Sequence, residues 1–442
     1  MTLRTRNILF YCLTALFFII AVSAVFYSNG WRFDPETFTI NKLGGIYFEE
    51  VPDGSTLFME KIGVEFSPSF LRSTYLAPNL FPKNYLATVS RENHQVWTKE
   101  IPVYPSLVTE IQPIILLPEK LILENPIRKN ISGFWEKSGQ IITGTKSGEL
   151  FSGSYKIPGT QIISWSDDAS AVISKNEGNY YLVDLNSPGS ALNLTLMFSN
   201  ARKAELAAKE RTPVKHASFQ PGHDDSFIIH TDNGLYLLDS ESSTLSVISS
   251  APISAYAGNS YEILFSNKTG LFSWSSGKTA TLTPSLPIGD PAEMIFNDAE
   301  TYFLIKSDSG RLLITSRNNL ETKLLANNAR AVFFAPGYLK LAFTTFNNEL
   351  VIHTFGKKYQ LLDDPKTEVL RLSIADEGSL AWHADAAHIF MQYPNAAYLL
   401  EANGMPPINL QKIDDGVDKF QYDAENEELY ILKNSNLYKI NI

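Results

Sequence analysis

Three potential metal ligands, His383, Asp385 and His388, fall within six residues of one another in this chain of 442 residues. Imidazole and carboxylate groups are common zinc and transition-metal ligands. Asp385, however, belongs to a polar turn that recurs along the chain, and we expect His388 to point away from it on the following strand. The sequence therefore favours packing and turn capping over a metal site at these three residues.

Four other histidines are candidates for a binding or metal site. His216, His223 and His230 are spaced by seven residues, and in a strand-rich segment this spacing is not expected to bring them together. His94 lies beside Trp97 in the sequence and is interpreted as a surface residue. No shared histidine site is predicted.

Acidic residues recur at turns, and paired carboxylates could bind calcium or act as acid and base in glycoside hydrolysis. Their spacing does not match an Asp-x-Asp-x-Asp calcium loop, and aspartate is common in turns because its side chain hydrogen-bonds the nearby backbone. We predict turn capping for these residues. They are Asp167, Asp168, Asp224, Asp225, Asp298, Asp308, Asp414 and Asp415.

The motifs of common enzyme classes are absent from the sequence: Gly-x-Ser-x-Gly, the P-loop, Gly-x-Gly-x-x-Gly and His-Glu-x-x-His. The segment from Gly144 to Gly148 imitates part of a phosphate loop but lacks the upstream glycine, and we interpret it as a hairpin turn. We therefore expect a non-enzymatic protein with no catalytic residue, no cofactor and no metal ion.

The net charge and the cysteine content limit the kinds of partner and of metal site that the chain can have. Lys and Arg total 37 and Asp and Glu total 47, a net charge of −10, which disfavours nucleic acid as a partner. Cys12 is the single cysteine, so neither an intramolecular disulfide nor a cysteine zinc site is predicted. Tyr11 stands where a bacterial lipidation signal has a small residue, so we interpret Cys12 as a residue of an apolar helix.

An uncharged apolar run extends from Ile8 to Tyr27. As a helix it would be about 30 Å long, the thickness of a bilayer core. Arg4 and Arg6 precede it, so we expect residues 1–7 to be a cytoplasmic tail, residues 8–27 a transmembrane helix, and the rest extracytoplasmic. A cleaved signal peptide is the alternative, since residues 22–24 fit a small-residue cleavage site, but the run is longer than a typical signal core.

Residues 28–42 are predicted to be a polar linker, and residues 43–118 a small strand-rich domain with a turn at Pro52–Gly54. This domain resembles the PEGA family, on the positions Gly45, Pro52, Gly54, Tyr85 and Trp97. The resemblance implies a small β-sandwich-like module used for surface interactions. The chain departs from the family pattern at residues 52–55, which read Pro-Asp-Gly-Ser, and at residues 82–85, which read Pro-Lys-Asn-Tyr.

Residues 119–442 are repetitive, and repetition at a fixed period is typical of solenoids and propellers. One recurring element is an aromatic residue or histidine before a polar turn, and a second is a Gly- or Asn-type turn before an apolar strand. In six repeats the two elements are 12 residues apart, as from Gly222 to Gly234. The first elements begin at Trp135, Trp165, Phe219, Tyr256, Phe296, Phe334, His383 and Tyr422.

Eight units over this region average about 40 residues, the length of a four-stranded propeller blade. We therefore predict an all-β protein: an N-terminal transmembrane helix, the PEGA-like domain, and a seven- or eight-bladed β-propeller over residues 119–442. The last strand, Leu437–Ile442, is expected to pair with the first strand after Leu121 and close the ring. The tryptophans at 135, 165, 274 and 382 are expected in blade cores.

The turn from Trp165 to Asp168 resembles those of bacterial WD40-like and TolB-type propeller repeats, which implies a propeller as a class. Residues 199–213 interrupt the repeats with a predicted short helix, whose alanines share one face and which Pro213 ends. The helix is either a surface ornament or a docking element for a partner.

These features predict a membrane-anchored binding or scaffold protein of the bacterial cell envelope, with the propeller as a protein- or glycan-interaction platform. The expected partners are an unidentified envelope protein or cell-wall glycan, and the lipid bilayer through the helix. A propeller-type hydrolase or lyase acting on envelope glycans or peptides is the alternative. A sensor that signals inward ranks last, because residues 1–7 cannot hold a signalling domain.

Overall fold

A computed structural model divides the chain into two compact units, Met1–Leu121 with Asn403–Ile413, and Ile122–Ala402 with Asp414–Ile442. Each unit is described by itself. The structure describes residues 3–35, 37–60, 62–68, 73–123, 125–206, 212–283, 291–297, 301–337, 340–355, 366–370, 380–393, 395–403 and 405–442.

The first unit begins with an apolar helix, α1, from Leu3 to Ser28. Its 26 residues have a mean hydropathy of 2.6 in the most apolar window, and none of that window is buried in the protein. The predicted run from residue 8 to 27 lies inside it. The helix is long and apolar enough to cross a bilayer, a property that a signal sequence shares.

A two-stranded antiparallel hairpin follows, where the sequence predicted a polar linker. Strand β1 is Trp31–Asp34 and strand β2 is Thr39–Lys42. The backbone nitrogen of Leu43 donates a hydrogen bond to the carbonyl oxygen of Gly30 at 3.0 Å. The two ends of the hairpin therefore meet at its base, between helix α1 and the strands that follow.

Seven strands in two sheets form the rest of the first unit. One sheet has the order β6-β3-β9 and the other β5-β4-β7-β8. Strands β3 and β9 are parallel. The strands are β3 (Gly44–Phe48), β4 (Thr56–Met59), β5 (Val64–Phe66), β6 (Tyr75–Leu80), β7 (Asn84–Ser90), β8 (Trp97–Pro102) and β9 (Val108–Ile111).

Alternate residues of both sheets face one core, which contains Ile46, Phe48, Leu57, Val89 and Trp97. The alternation is the period of two that a strand with one buried face requires. The predicted turn before β4 is present: Gly54 has φ +70°, and the nitrogen of Ser55 donates to the carbonyl of Pro52.

The segment Asn403–Ile413 belongs to this unit through hydrogen bonds with β8 and the loop after β9. Lys99 is fully buried, and its Nζ donates to Asn403 Oδ1 and to the carbonyl of Met405, both at 2.9 Å. The nitrogen of Leu117 donates to Gln411 Oε1 at 2.7 Å. The segment thus supplies acceptors that a buried ammonium group needs.

The second unit is a β-propeller, in which the described residues form eight four-stranded sheets. The predicted range of seven or eight blades is therefore resolved as eight. Short strand β10 (Arg128–Lys129) comes first, and the first four blades follow it. They are β11 (Gly133–Lys137), β12 (Gln140–Gly144), β13 (Leu150–Ser152) and β14 (Tyr155–Ile157); β15 (Gln161–Trp165), β16 (Ala171–Asn176), β17 (Asn179–Asp184) and β18 (Leu192–Asn193); β19 (Val214–Gln220), β20 (His223–Thr231), β21 (Gly234–Asp239) and β22 (Leu245–Ser249); β23 (Ala255–Gly258), β24 (Ile263–Asn267), β25 (Gly270–Ser275) and β26 (Lys278–Thr283).

The remaining blades have the same antiparallel order. They are β27 (Pro291–Phe296), β28 (Tyr302–Ser307), β29 (Leu312–Ser316) and β30 (Thr322–Ala326); β31 (Ala329–Phe334), β32 (Lys340–Thr345), β33 (Leu350–Thr354) and β34 (Lys366–Leu370); β35 (Leu380–Trp382), β36 (His388–Tyr393), β37 (Ala396–Glu401) and β38 (Leu410–Asp415); and β39 (Lys419–Asp423), β40 (Glu428–Lys433) and β41 (Asn436–Asn441).

The eighth blade contains strands from both ends of the propeller segment, in the order β10-β41-β40-β39. Arg128 pairs with Leu437 and Lys129 with Asn436. This is the predicted closure, and it pairs β41 with a strand on each side instead of leaving it as an edge. The repeated sequence elements match the blades: the first joins the first and second strands, and the second opens the third strand.

The predicted helical insertion is a 13-residue helix, α2, from Leu194 to Leu206. It begins five residues before the predicted segment, and residues 207–211 lie outside the described chain. Leu194, Phe198 and Ala201 are buried in one core cluster with Phe227 and Tyr236 of the third blade. The helix therefore packs into the propeller core through one face. Trp274 and Trp382 are buried as predicted, and Trp135 and Trp165 are partly buried against a blade core.

Candidate functional site

A cavity of about 660 Å³ lies against the first strands of the third, fourth and fifth blades, β19, β23 and β27. The first strands of neighbouring blades lie side by side, as β23 and β27 do, so the cavity lies on the inner face of the propeller. Its polar lining includes His216, Ser218, His230, Tyr256 and Glu293. This volume is in the range of small-molecule sites.

Tyr256 connects the polar groups of this pocket, which we call the inner-strand pocket. His216 Nδ1 lies 2.7 Å from the Tyr256 hydroxyl oxygen, and Ser218 Oγ lies 3.2 Å from it. The His230 ring contacts the Tyr256 ring edge-on, with centroids 5.8 Å apart. Three side chains of the third blade thus surround one phenol group of the fourth blade.

The prediction that the histidines stay apart is wrong for His216 and His230. They are directly opposite one another in the antiparallel pair β19–β20. Each histidine lies on one strand of the same hairpin, and the antiparallel register places the two opposite each other. His223 pairs with Gln220 at the turn and lies outside the pocket lining. The register of the hairpin was the missing signal.

The polar groups around Tyr256 are uncharged near neutral pH. Burial, with a smaller contribution from Lys175, lowers the pKa of His216, and burial also lowers the pKa of His230. Burial raises the pKa of Tyr256 to about 12, although the Ser218 hydrogen bond opposes the shift. Two neutral imidazoles, a phenol and a hydroxyl therefore present hydrogen-bond donors and acceptors. The one acid, Glu293, lies 3.2 Å from Lys306 Nζ.

Apolar side chains complete the pocket, among them Phe219, Ile228, Met294 and Phe296. A few directed polar groups set in an apolar wall are typical of a ligand site. His216 contacts Tyr256, and Ser218 contacts the same phenol. The arrangement favours recognition by hydrogen bonds and ring contacts.

The structure also brings together His383, Asp385 and His388, although His388 was expected to point away. Their candidate ligand atoms lie within 4.8 Å of one another, and they are the one such group among the described residues. His388 Nδ1 lies 2.6 Å from Asp385 Oδ2, and His383 Nδ1 lies 3.1 Å from Asp385 Oδ1.

Asp385 already accepts several hydrogen bonds at these oxygens. The nitrogens of Ala387 and His388 donate to its Oδ1 at 2.8 and 3.0 Å. Burial raises the pKa of Asp385, but the hydrogen bonds and charges of His383 and His388 together outweigh it and lower the pKa. The His383 ring stacks on Tyr422. These contacts fit the predicted packing and turn capping, with both histidines bound to one capping carboxylate.

The acidic turn residues differ in their contacts, and Asp168 has the one that turn capping predicts. The nitrogen of Ser170 donates to Asp168 Oδ1 at 2.9 Å. Asp167 accepts from the nitrogen of Gly222 at 2.5 Å, across two neighbouring blades. Asp414 instead pairs with Lys433 at 2.5 Å. Asp298 lies outside the described residues.

Sequence reasoning missed a carboxyl pair between the first and eighth blades. Glu136 on β11 is buried, and Asp423, at the end of β39, is close enough to raise its pKa. Burial is the largest cause that raises the pKa of Glu136 and the negative charge of Asp423 adds to it, so that the pKa is about 7 although a hydrogen bond from Gly139 lowers it. A nearby cavity of about 520 Å³ is lined by polar residues that include Glu428 and Tyr430. Their strands are far apart in sequence, so only the ring closure reveals the pair.

Comparison with known proteins gives fold-level likenesses. No protein-family model matches the chain, and no curated protein matches it. The β-propeller domain of Cps50 (Swd1) from Myceliophteria thermophila is 13% identical, covering 73% of this chain and 99% of that chain, with a TM-score of 0.43. A chain of the mitotic checkpoint complex is 14% identical over 73% of this chain and 94% of that chain, with a TM-score of 0.44.

PorZ of Porphyromonas gingivalis, described as a surface component of the type-IX secretion system, is 14% identical. That match covers 69% of this chain and 41% of PorZ, with a TM-score of 0.41. Because these TM-scores are low, the assignment of this chain as a β-propeller rests on its strand pairing.

Proposed function

We propose that this protein is a membrane-anchored, extracytoplasmic binding protein of the cell envelope, and that its propeller holds the ligand in the inner-strand pocket. The observation that carries the proposal is the His216–Tyr256–Ser218 group on the pocket wall. Propeller folds host many functions, so the fold alone does not establish this one. The pocket adds a defined position for the ligand and defined hydrogen-bonding groups that can contact it.

A hydroxyl-bearing, uncharged ligand fits the pocket best. Neutral imidazole and phenol groups can donate to and accept from sugar hydroxyls, and the aromatic rings of Phe219 and Phe296 can contact the apolar face of a sugar ring. A charged ligand would exchange water for these neutral groups and the apolar wall, and burying an unpaired charge costs free energy. A wall glycan is therefore favoured over a charged peptide.

Helix α1 supplies the membrane anchor in this proposal. Arg4 and Arg6 precede the apolar run and support an orientation with the bulk of the chain outside the cytoplasm. The two-sheet unit that follows is proposed to be a PEGA-like module. Its single core from two sheets is consistent with a β-sandwich-like module.

The test is affinity capture with the full chain in lipid nanodiscs. Detergent-solubilised envelope proteins and purified wall glycans are offered separately to wild-type protein and to empty nanodiscs. We expect specific retention of a glycan. Retention of one envelope protein instead would identify a protein platform, and no retention from either source would contradict the binding function.

One observation favours the alternative, a hydrolase or lyase. Glu136 and Asp423 come from different blades, and a carboxyl group with a pKa of about 7 can act as a general acid near neutral pH. Against this, both carboxylates already accept turn hydrogen bonds, Glu136 from the nitrogen of Gly139 and Asp423 from that of Glu425. Turnover of a glycan or peptide panel by the wild type, abolished in Glu136→Gln, would establish the enzyme and reject the binding protein.

A further inference from the structure

The hairpin β1–β2 exposes an apolar face directly after helix α1. Trp31 pairs with Lys42 and Phe33 with Ile40, so these side chains share one face of the ribbon. Phe33 is 57% exposed, Ile40 58% and Phe38, in the turn, 81%. Exposed apolar side chains gathered on one face indicate an interaction surface.

The opposite face of the same ribbon is polar. It carries Arg32, Asp34, Thr39 and Asn41. Asp34 is buried and accepts a hydrogen bond from Thr37, while Asn41 donates to Thr39. The hairpin is therefore an amphipathic ribbon, although it has only four residues in each strand.

The position of the hairpin indicates what covers its apolar face. Helix α1 ends at Ser28, three residues before β1. The polar zone of a bilayer adds about 5–7 Å beyond the hydrocarbon on each side. A hairpin that starts within three residues of the helix end begins in that zone. The hydrogen bond between Gly30 and Leu43 brings the two ends of the hairpin together, so the hairpin is not needed to connect the helix to β3.

The side chains of the ribbon fit the chemistry of the headgroup zone. Aromatic residues are enriched there, and lysine and arginine stems extend along apolar surface to reach water or phosphate. The Arg32 guanidinium lies 3.3 Å from the centroid of the Tyr27 ring at the helix end, and Lys42 Nζ lies 5.5 Å from the Trp31 ring. Cations are thus held against rings at the level where the helix leaves the hydrocarbon.

We propose that the β1–β2 hairpin is a second membrane contact, which lies on the lipid headgroup zone with Phe33, Phe38 and Ile40 inserted at the hydrocarbon boundary. This inference rests on the proposed anchor α1. Its consequence is that the strand-rich part of the first unit is held at a defined height at the bilayer surface, instead of on a flexible tether. The occupant of the face is lipid, not a protein partner.

The test compares adjacent positions on opposite faces of β2. Single-cysteine variants Ile40→Cys and Asn41→Cys, each in a Cys12→Ser background, are labelled with an environment-sensitive fluorophore in full-length protein reconstituted into nanodiscs. Doxyl-labelled lipid serves as the quencher. We expect the label at 40 to emit at shorter wavelength than the label at 41 and to be quenched by doxyl lipid, with the label at 41 unquenched.

The native Cys12 separates failure of this inference from failure of the anchor. Label on Cys12 in wild-type protein should be strongly quenched by lipid doxyl groups if α1 crosses the bilayer. Quenching at 12 with equal, water-like emission at 40 and 41 would overturn the hairpin proposal and leave the anchor intact. Water-like emission at 12 would overturn the anchor itself. Equal quenching at 40 and 41 would also contradict the proposal, because it shows no oriented face.

Discussion

The Tyr256 hydroxyl group lies 2.7 Å from Nδ1 of His216, its neighbour on the inner strand of the adjacent blade. This contact joins the third and fourth blades at the wall of the pocket. It also fixes the direction in which the phenol can hydrogen-bond a ligand. The first prediction removes the hydroxyl and keeps the ring.

Tyr256→Phe is expected to weaken glycan binding by about two- to tenfold, since one hydrogen bond contributes about 0.5–1.5 kcal/mol. The affinity is measured by titration calorimetry with the glycan that the wild type retains. Tyr261→Phe is the matched control, because Tyr261 is 72% exposed and is not among the pocket-lining residues. Equal affinities of the two variants would show that the ligand does not use this pocket.

Glu136 predicts a pH dependence of stability. Its pKa is about 7 in the folded protein and 4.5 ordinarily, so between these values the folded state holds a proton that the unfolded chain has lost. That contribution is present at low pH and is lost as pH rises through 7. The free energy of unfolding should therefore fall from pH 4.5 to 7, by at most about 3 kcal/mol.

Glu136→Gln is expected to flatten this dependence, and exposed Glu241→Gln should retain the wild-type slope. Asp423 does not disturb the window, because its pKa is lowered from 3.8 and its contribution is lost only as pH falls below that value. Urea unfolding at several pH values gives the slopes. A slope in Glu136→Gln equal to that of the wild type would refute the raised pKa of Glu136.

Asp385 is predicted to be a structural residue of the seventh blade. Asp385→Ala leaves several buried donors without an acceptor, so the free energy of unfolding should fall by more than about 2 kcal/mol. Asp168→Ala, at an exposed turn of the second blade, should cost less. Zinc should not raise the melting temperature of the wild type. A rise with zinc that Asp385→Ala abolishes would instead establish a metal site.

The closure of the propeller is tested at Leu437. This residue is fully buried, with Ile131, Phe134, Tyr430 and Leu432 in the same cluster. Leu437→Ala should lower the free energy of unfolding by about 2–5 kcal/mol. Leu324→Ala is the control, because Leu324 is 43% exposed on an outer strand. Similar losses in the two variants would argue against a closure core at β41.

Local sequence pattern predicted much of the fold. The 12-residue spacing marked the second strand of six blades, and Leu437 marked a strand that needed a partner. Both features depend on residues that are close together in the chain, so the sequence shows them directly. The hairpin at residues 31–42 was predicted as a linker because its apolar residues are few and scattered between polar ones. Its pairing decides its structure more than its composition does.

The pocket could not be predicted in the same way. His216 and Tyr256 are 40 residues apart, and which inner-strand residues meet depends on the register and stagger of neighbouring blades. For the same reason, the sequence did not predict that Glu136 and Asp423 lie close together. The segment 403–413 joins the first unit through Lys99. The sequence around this buried lysine does not show which distant residues accept its hydrogen bonds.

The most direct measurement of the central claim is site-specific photocrosslinking from the pocket wall. Ala292→p-benzoylphenylalanine places the crosslinker on β27, at a pocket-lining position, and Ser276→p-benzoylphenylalanine places it at the exposed turn between β25 and β26. Full-length protein in nanodiscs is irradiated with envelope glycans and solubilised envelope proteins. The binding-protein account predicts a glycan crosslink at 292 and none at 276. A ligand crosslinked at 276 alone, or at neither position while capture by the wild type succeeds, would contradict the inner-strand pocket as the binding site.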